Sequence, residues 1–164
     1  LVPAYDGTGT LAGATMLVRD CSTEVETERR YPESEAALRA LLDAHNKAFT
    51  AKNMDGVLAT LCPDAVMMGT GPGELWVGQD EIRNAYTHFF EDFDPGKQSF
   101  ESLWHHGNVG PQGAWLMNVS KVSMTRGSST TEFGLNSSLV AVKADGKWLI
   151  QAMHFSNLTP ATQS

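Results

Sequence analysis

The last third of the chain most limits what it can fold into. Ser99 to His106, Ala114 to Thr125, Thr130 to Val142 and Lys147 to Phe155 read as four consecutive strands. Each mixes β-branched and aromatic residues with polar ones at period two. The connections Gly107-Asn108, Arg126-Gly127-Ser128 and Asp145-Gly146 carry turn chemistry. Asp-Gly between two apolar-patterned segments is the strongest hairpin signal of the three. Strands joined by connections this short must run antiparallel, as a meander.

Helices are expected before that meander. Leu38, Leu41, Leu42, His45, Ala48 and Phe49 recur at spacings of three and four, which predicts a helix over 35–51. Pro32 marks its boundary and Ser34 is a candidate cap. Asn53 can cap a second, short helix through Leu61, with Pro63 as its stop. A short strand over 65–68, a glycine loop over 69–74 and an extended piece over 75–77 follow. Gly78 then opens a third helix to about Asp92, with Ile82, Ala85, Tyr86, Phe89, Phe90 and Phe93 on its apolar face. The predicted class is α+β, three N-terminal helices packed on a curved antiparallel sheet. The domain spans 33–158, between an N-terminal arm over 1–32 without clear periodicity and a tail over 159–164. Met16-Leu17-Val18 is the one piece of the arm able to pair or pack.

The chain has 164 residues, enough for one domain with its own core. A formal charge of −7, from 12 basic and 19 acidic residues, argues against nucleic acid, whose phosphates demand clustered Lys and Arg. The doublet Arg29-Arg30 stands among Glu26, Glu28 and Glu33 and reads as solvated surface. No apolar run approaches the roughly 20 residues of a membrane-spanning helix, so no membrane partner is expected. Residue 1 is Leu, which fits a removed signal peptide, a truncation or an expression scar and leaves the compartment open. Cys21 and Cys62 match no metal spacing; they read as two buried thiols in the cytosol or one disulfide after export. The sequons at Asn118, Asn136 and Asn157 read as chance, two of them lying within strands.

The order of these elements, with particular strings, resembles the nuclear-transport-factor-2-like superfamily and within it the SnoaL-like domains. Ketosteroid isomerase and the association domain of calcium/calmodulin-dependent kinase II are cousins. The strings are Leu41-Leu42-Asp43-Ala44-His45-Asn46, Leu61-Cys62-Pro63-Asp64-Ala65-Val66, Gly71-Pro72-Gly73-Glu74-Leu75-Trp76-Val77-Gly78 leading into Gln79-Asp80-Glu81-Ile82, and Gly146-Lys147-Trp148-Leu149-Ile150 to His154-Phe155-Ser156. Together they cover about residues 34–157. The resemblance implies a cystatin-like cone with a pocket sized for a small molecule. It does not by itself imply a reaction, because the superfamily holds isomerases, dehydratases, cyclases and noncatalytic modules.

His45 is the foremost candidate. An imidazole in an apolar stripe needs a hydrogen-bond partner, which makes it either a satisfied core histidine or a site residue. By the resemblance, His45 stands where ketosteroid isomerase has its oxyanion-hole tyrosine. Tyr86 stands where that family has a second tyrosine bonded to the first. The position of the family's catalytic aspartate is Gly69 here, so that base is missing. His154 and Ser156 lie two apart on the last strand and share a face, toward the pocket rim or toward a partner. The resemblance places a His and then a Ser there in kinase association domains as well. Trp104 and His106 share a face, with His105 opposite; Trp76 walls the cavity mouth or plugs the core; Asn136 and Asn118 are strand amides that can meet a ligand or solvent. No metal motif joins His45, His106 and His154, and no cofactor is expected.

Two functions follow. The first is a pocket protein for a small, largely apolar ligand; if it is an enzyme, it runs cofactor-free acid–base chemistry of the isomerase, dehydratase or cyclase type. His45, Tyr86 and His154 would then be catalytic, with Trp76, Trp104, His106, Asn136 and Ser156 contacting the ligand. The second is a noncatalytic dimeric module. Trp115, Met117 and Val119 alternate with Leu116, Asn118 and Ser120, leaving apolar residues on both sheet faces and favouring a homodimer through the sheet.

Overall fold

The computed structural model describes residues 2–5, 11–15 and 32–157. The chain divides into two units, Leu1–Arg30 and Tyr31–Ser164. In the first, β1 (Val2–Tyr5) and β2 (Leu11–Thr15) form an antiparallel pair. Met16-Leu17-Val18 and Cys21 lie outside the described residues.

The second unit begins with α1 (Pro32–Thr50) and α2 (Met54–Leu58). α1 starts two residues before the expected cap Ser34. Proline suits a first helical turn, where its missing N–H has no partner to lose and its φ is already set. Asn53 caps α2 as expected, its side chain accepting from the Gly56 N–H at 3.0 Å. α2 stops at Leu58, well before Pro63. Leu61 already pairs with Ile150 in β3 (Leu61–Met68), and Pro63 falls where that pairing is irregular, between Leu61 and Val66. There its missing N–H costs no ladder bond. β4 (Leu75–Val77) returns against β3 and leads into α3 (Gly78–Phe89). Gly78 takes φ +81° at this tight strand-to-helix junction, a conformation that glycine adopts without strain. α3 ends three residues short of Asp92. The Gln79 amide donates to the carbonyls of Leu58 and Leu61, both at 3.0 Å, tying the start of α3 to the end of α2.

The meander follows: β5 (Gln98–Val109), β6 (Gly113–Arg126), β7 (Ser129–Ala144) and β8 (Lys147–Asn157). The strands are where the sequence puts them but longer. Asp145 and Gly146 both take positive φ, +49° and +79°, as a two-residue hairpin turn of the Asp-Gly kind requires. The six strands make one curved sheet in the order β4-β3-β8-β7-β6-β5. All neighbours are antiparallel except β3 and β8. α1 and α2 thus precede the first two strands of this sheet, and α3 comes after them.

Helices and sheet bury one core. Val57, Ala65, Met67, Ile82, Ala141 and Ile150 are wholly inaccessible. Around it stand Phe49, Tyr86, Phe89, Phe90 and Phe93, whose ring pairs lie 5.3–6.2 Å apart, mostly edge to face. The core fills the end of the unit near β3. A space remains between α1, α3 and the strands β6, β7 and β8.

Candidate functional site

Between the helices and the concave side of the sheet lies a cavity of about 430 Å³. Strand alternation decides which residues reach it. Leu116, Asn118, Ser120 and Val122 of β6 point in, as do Phe133, Leu135, Ser137 and Leu139 of β7 and Met153, Phe155 and Asn157 of β8. α1 contributes Leu42, His45, Asn46 and Phe49; Tyr86, Phe89, Asp92 and Phe93 come from α3 and the turn after it. Gly69, Thr70 and Glu74 close one side. The wall is mostly apolar with a few convergent polar groups, the usual composition of a small-molecule site.

His45 and Tyr86 both face this cavity, and their rings are 6.2 Å apart. They belong to a chain of hydrogen bonds. Thr60 Oγ1 lies 2.5 Å from the Val57 carbonyl oxygen, a separation that requires the hydroxyl proton between the two oxygens. That proton is therefore spent, and Thr60 can only accept from His45 Nδ1 at 2.8 Å. Burial pushes the His45 imidazole down to about 4, so at neutral pH it is uncharged. With its one proton on Nδ1, the ring presents a bare lone pair on Nε2. The Tyr86 hydroxyl stands 3.4 Å from Nε2 and is the donor available to it, with Met153 Sδ at 3.9 Å as a weaker contact. Burial also raises the Tyr86 phenol well above its ordinary value, so it stays protonated.

The other sequence candidates lie elsewhere. β8 residues 152, 154 and 156 point away from the cavity, so His154 is exposed on the convex face and Ser156 is half-buried there, with its hydroxyl 3.4 Å from the Asn136 amide. Asn118 and Asn136 part company because of register. Val119 pairs with Asn136 and Asn118 with Ser137, which turns Asn118 inward, where its Oδ1 accepts from Ser102, and Asn136 outward. A bulge at Leu103 shifts β5, so Trp104 and His106 lie beside Val119 and Met117 on the convex face. There Trp104, His106 and Trp115 form a row of rings 6.3 and 5.6 Å apart. Trp76 is half-buried, edge-on to Phe89 at 5.8 Å, beside the cavity lining rather than in it. His45 and His106 thus lie on opposite sides of the sheet. Among the described residues no three His, Cys, Asp or Glu side chains come together as a metal site. No helix there is long and apolar enough to cross a membrane.

Sequence reasoning missed Glu74. Its Oε2 accepts from the Gly71 N–H at 2.8 Å, and Gly69 N–H donates to the Glu74 carbonyl at 2.8 Å. A Cβ on residue 69 would collide with the carboxylate, and one on residue 71 would come within 3.1 Å of it. The signal was present as a carboxylate that follows Gly69-x-Gly71 closely, but only the folded loop shows that the two glycines make room for it.

The family model for the SnoaL-like domain matches residues 38–161. No curated protein matches the chain. Among solved structures, an NTF2-like protein of unknown function from Pseudomonas putida KT2440 is 15% identical with a TM-score of 0.67, covering 80% of this chain and 92% of that one. A ketosteroid isomerase-like protein from Erwinia carotovora atroseptica SCRI1043 is 24% identical at a TM-score of 0.61, over 79% and 100%. A protein from Xanthomonas campestris, provisionally named a calcium/calmodulin dependent protein kinase II association domain, is 23% identical at 0.66, over 76% and 87%. At these identities the structural likeness establishes the fold alone. Family match, element order and cavity agree: the chain belongs to the SnoaL-like domain family, within the NTF2-like superfamily and its cystatin-like α+β fold.

Proposed function

We propose that this protein binds a small, largely apolar molecule in the cavity between its helices and its sheet. The observation that carries the reading is the cavity itself: about 430 Å³, walled mainly by Leu, Phe, Val and Met side chains, with Tyr86 and His45 at its polar end. A side-chain-filled cone would have favoured a purely structural module. General acid–base chemistry of the isomerase, dehydratase or cyclase type runs best on a group whose proton affinity is matched to the working pH. The His45 imidazole is held at about 4 and the Tyr86 phenol above its usual range, so neither fits that role unaided. Binding is therefore the better-supported activity of the pair.

The test is a neutral fluorescent probe. N-phenyl-1-naphthylamine brightens in apolar surroundings and is small enough for the cavity. Saturable one-to-one binding by the wild type is expected, together with its loss in Leu116→Trp, which puts an indole into the space while the thermal midpoint holds. Absence of saturable binding, or its persistence in Leu116→Trp, overturns the reading.

A second reading concerns the convex face, where Met68, Leu75, Val77, Trp104, Trp115, Met117 and Val140 are each at least 41% exposed. A monomer rarely leaves so much contiguous apolar surface in water. The partner best suited to it is a second copy of the same face, since a two-fold axis through the sheet sets apolar surface on apolar surface.

A further inference from the structure

We infer that the cavity selects an apolar molecule bearing a cationic, hydrogen-bond-donating head, an amine in its ammonium form, and that the Glu74 carboxylate is the group that holds it. This rests on the reading that the cavity binds a ligand, and it names the chemical class.

Two independent features support it. The first is the direction of the hydrogen-bond chain. It ends on the Val57 carbonyl, which can only accept, so each donor points away from the cavity: Thr60 to Val57, His45 to Thr60, Tyr86 to His45. A ligand that took the Tyr86 proton would leave the His45 Nε2 lone pair buried without a donor, at a cost comparable to a lost hydrogen bond. What Tyr86 offers the cavity is its oxygen as an acceptor. The arrangement is the reverse of an oxyanion hole, which needs donors aimed at a developing negative charge.

The second feature is charge. Among the described residues, the ionisable side chains that line the cavity, apart from His45 and Tyr86, are the carboxylates Glu74 and Asp92, and no Lys or Arg lines it. Asp92 is exposed at the mouth, whereas Glu74 is half-buried. The glycines at 69 and 71 leave the room that its carboxylate occupies, and the Gly71 N–H holds one of its oxygens. The second oxygen has no partner within the loop. An ammonium group there pairs with a partly desolvated carboxylate, whereas an anionic head meets two like charges.

Displacement of N-phenyl-1-naphthylamine provides the test, with three probes on one skeleton: 1-aminoadamantane, 1-adamantanol and adamantane-1-carboxylate at pH 7. The amine is expected to displace the dye at least about tenfold more tightly than the alcohol, and the carboxylate most weakly. In Glu74→Gln, which can still accept from Gly71, the amine is expected to weaken to the level of the alcohol while the alcohol is unchanged. A dye that binds while the amine shows no advantage, or while Glu74→Gln leaves that advantage intact, overturns this inference and spares the binding site. Failure of the dye to bind removes the site itself. Asp92→Asn separates the two carboxylates: it should leave most of the preference in place, and complete loss would move the assignment away from Glu74.

Discussion

The two faces of the sheet carry the same alternation and meet different fates. On the concave face the apolar residues of β6, β7 and β8 are covered by α1 and α3, and the helix groups Tyr86 and His45 that face them are tied through Thr60 into a chain ending at Val57. On the convex face Trp104, Trp115 and Met117 stand open, and their polar neighbours His106 and His154 are exposed with them. A meander with apolar residues on both sides cannot satisfy both from its own helices. The helices cover one face, which places the cavity there and leaves the apolar residues of the other face exposed.

The largest effect expected from this contrast is pH dependence on the concave side. His45 has an ordinary value of 6.5 and is held at about 4 in the fold, by burial. The unfolded chain therefore binds a proton between those limits that the folded chain refuses, and stability rises with pH across that window. The contribution is complete above 6.5, falls away as the pH drops toward 4 and is constant below. Its size is roughly 3 kcal/mol. His45→Gln removes the titration while keeping a donor for Thr60 and an acceptor for Tyr86. Urea unfolding from pH 7 to pH 4 should show the wild type losing more stability than the variant by about that amount. Parallel curves would mean that the imidazole is not buried as described.

On the convex side the decisive change is Trp115→Lys with Met117→Lys. Two charges set into an apolar interface should weaken self-association by about a hundredfold or more. Sedimentation of wild type and variant measures it. A wild type that is monomeric at micromolar concentration, or a variant that associates as tightly, would show that the convex face is not the contact. Binding of N-phenyl-1-naphthylamine should be the same in both, because neither side chain reaches the cavity. A linked loss would instead mean that the two faces are coupled.

Much of this contrast is written in the sequence. Period two fixes which of Trp115 or Leu116, and which of Met153 or His154, share a side. It does not say which side the helices cover, and that is why His154 and Ser156, read as pocket-rim candidates, lie beneath the sheet. Relative register is also invisible to alternation within one strand. Asn118 and Asn136 look equivalent until the pairing of Val119 with Asn136 separates them, and the bulge at Leu103 re-aims Trp104 and His106. His45 was legible because a polar residue in an apolar helical stripe must find a partner, and Tyr86 because the resemblance implies there a tyrosine bonded to that first group. Thr60 was not, because its hydroxyl meets His45 only once α2 has ended early at Leu58. Pro63 misled the reading of α2: a proline that looked like a helix stop serves at an irregular stretch of a strand.

The smallest effect expected, and the one that tests the polarity of the concave site most directly, comes from Tyr86→Phe. The ring keeps its neighbours Phe49, Phe89 and Phe90, so packing is preserved. What is lost is a long contact, 3.4 Å, to a lone pair. The cost should be about 1 kcal/mol in urea unfolding at pH 7. The more informative measurement is the tautomer. Nitrogen chemical shifts of the His45 ring should report a proton on Nδ1 and none on Nε2, in the wild type and in Tyr86→Phe alike, because the short Thr60–Val57 contact fixes the donor. A proton on Nε2 would reverse the chain, make Tyr86 an acceptor from His45 and free its own hydrogen for the cavity. The concave face would then offer a donor rather than an acceptor to whatever enters it.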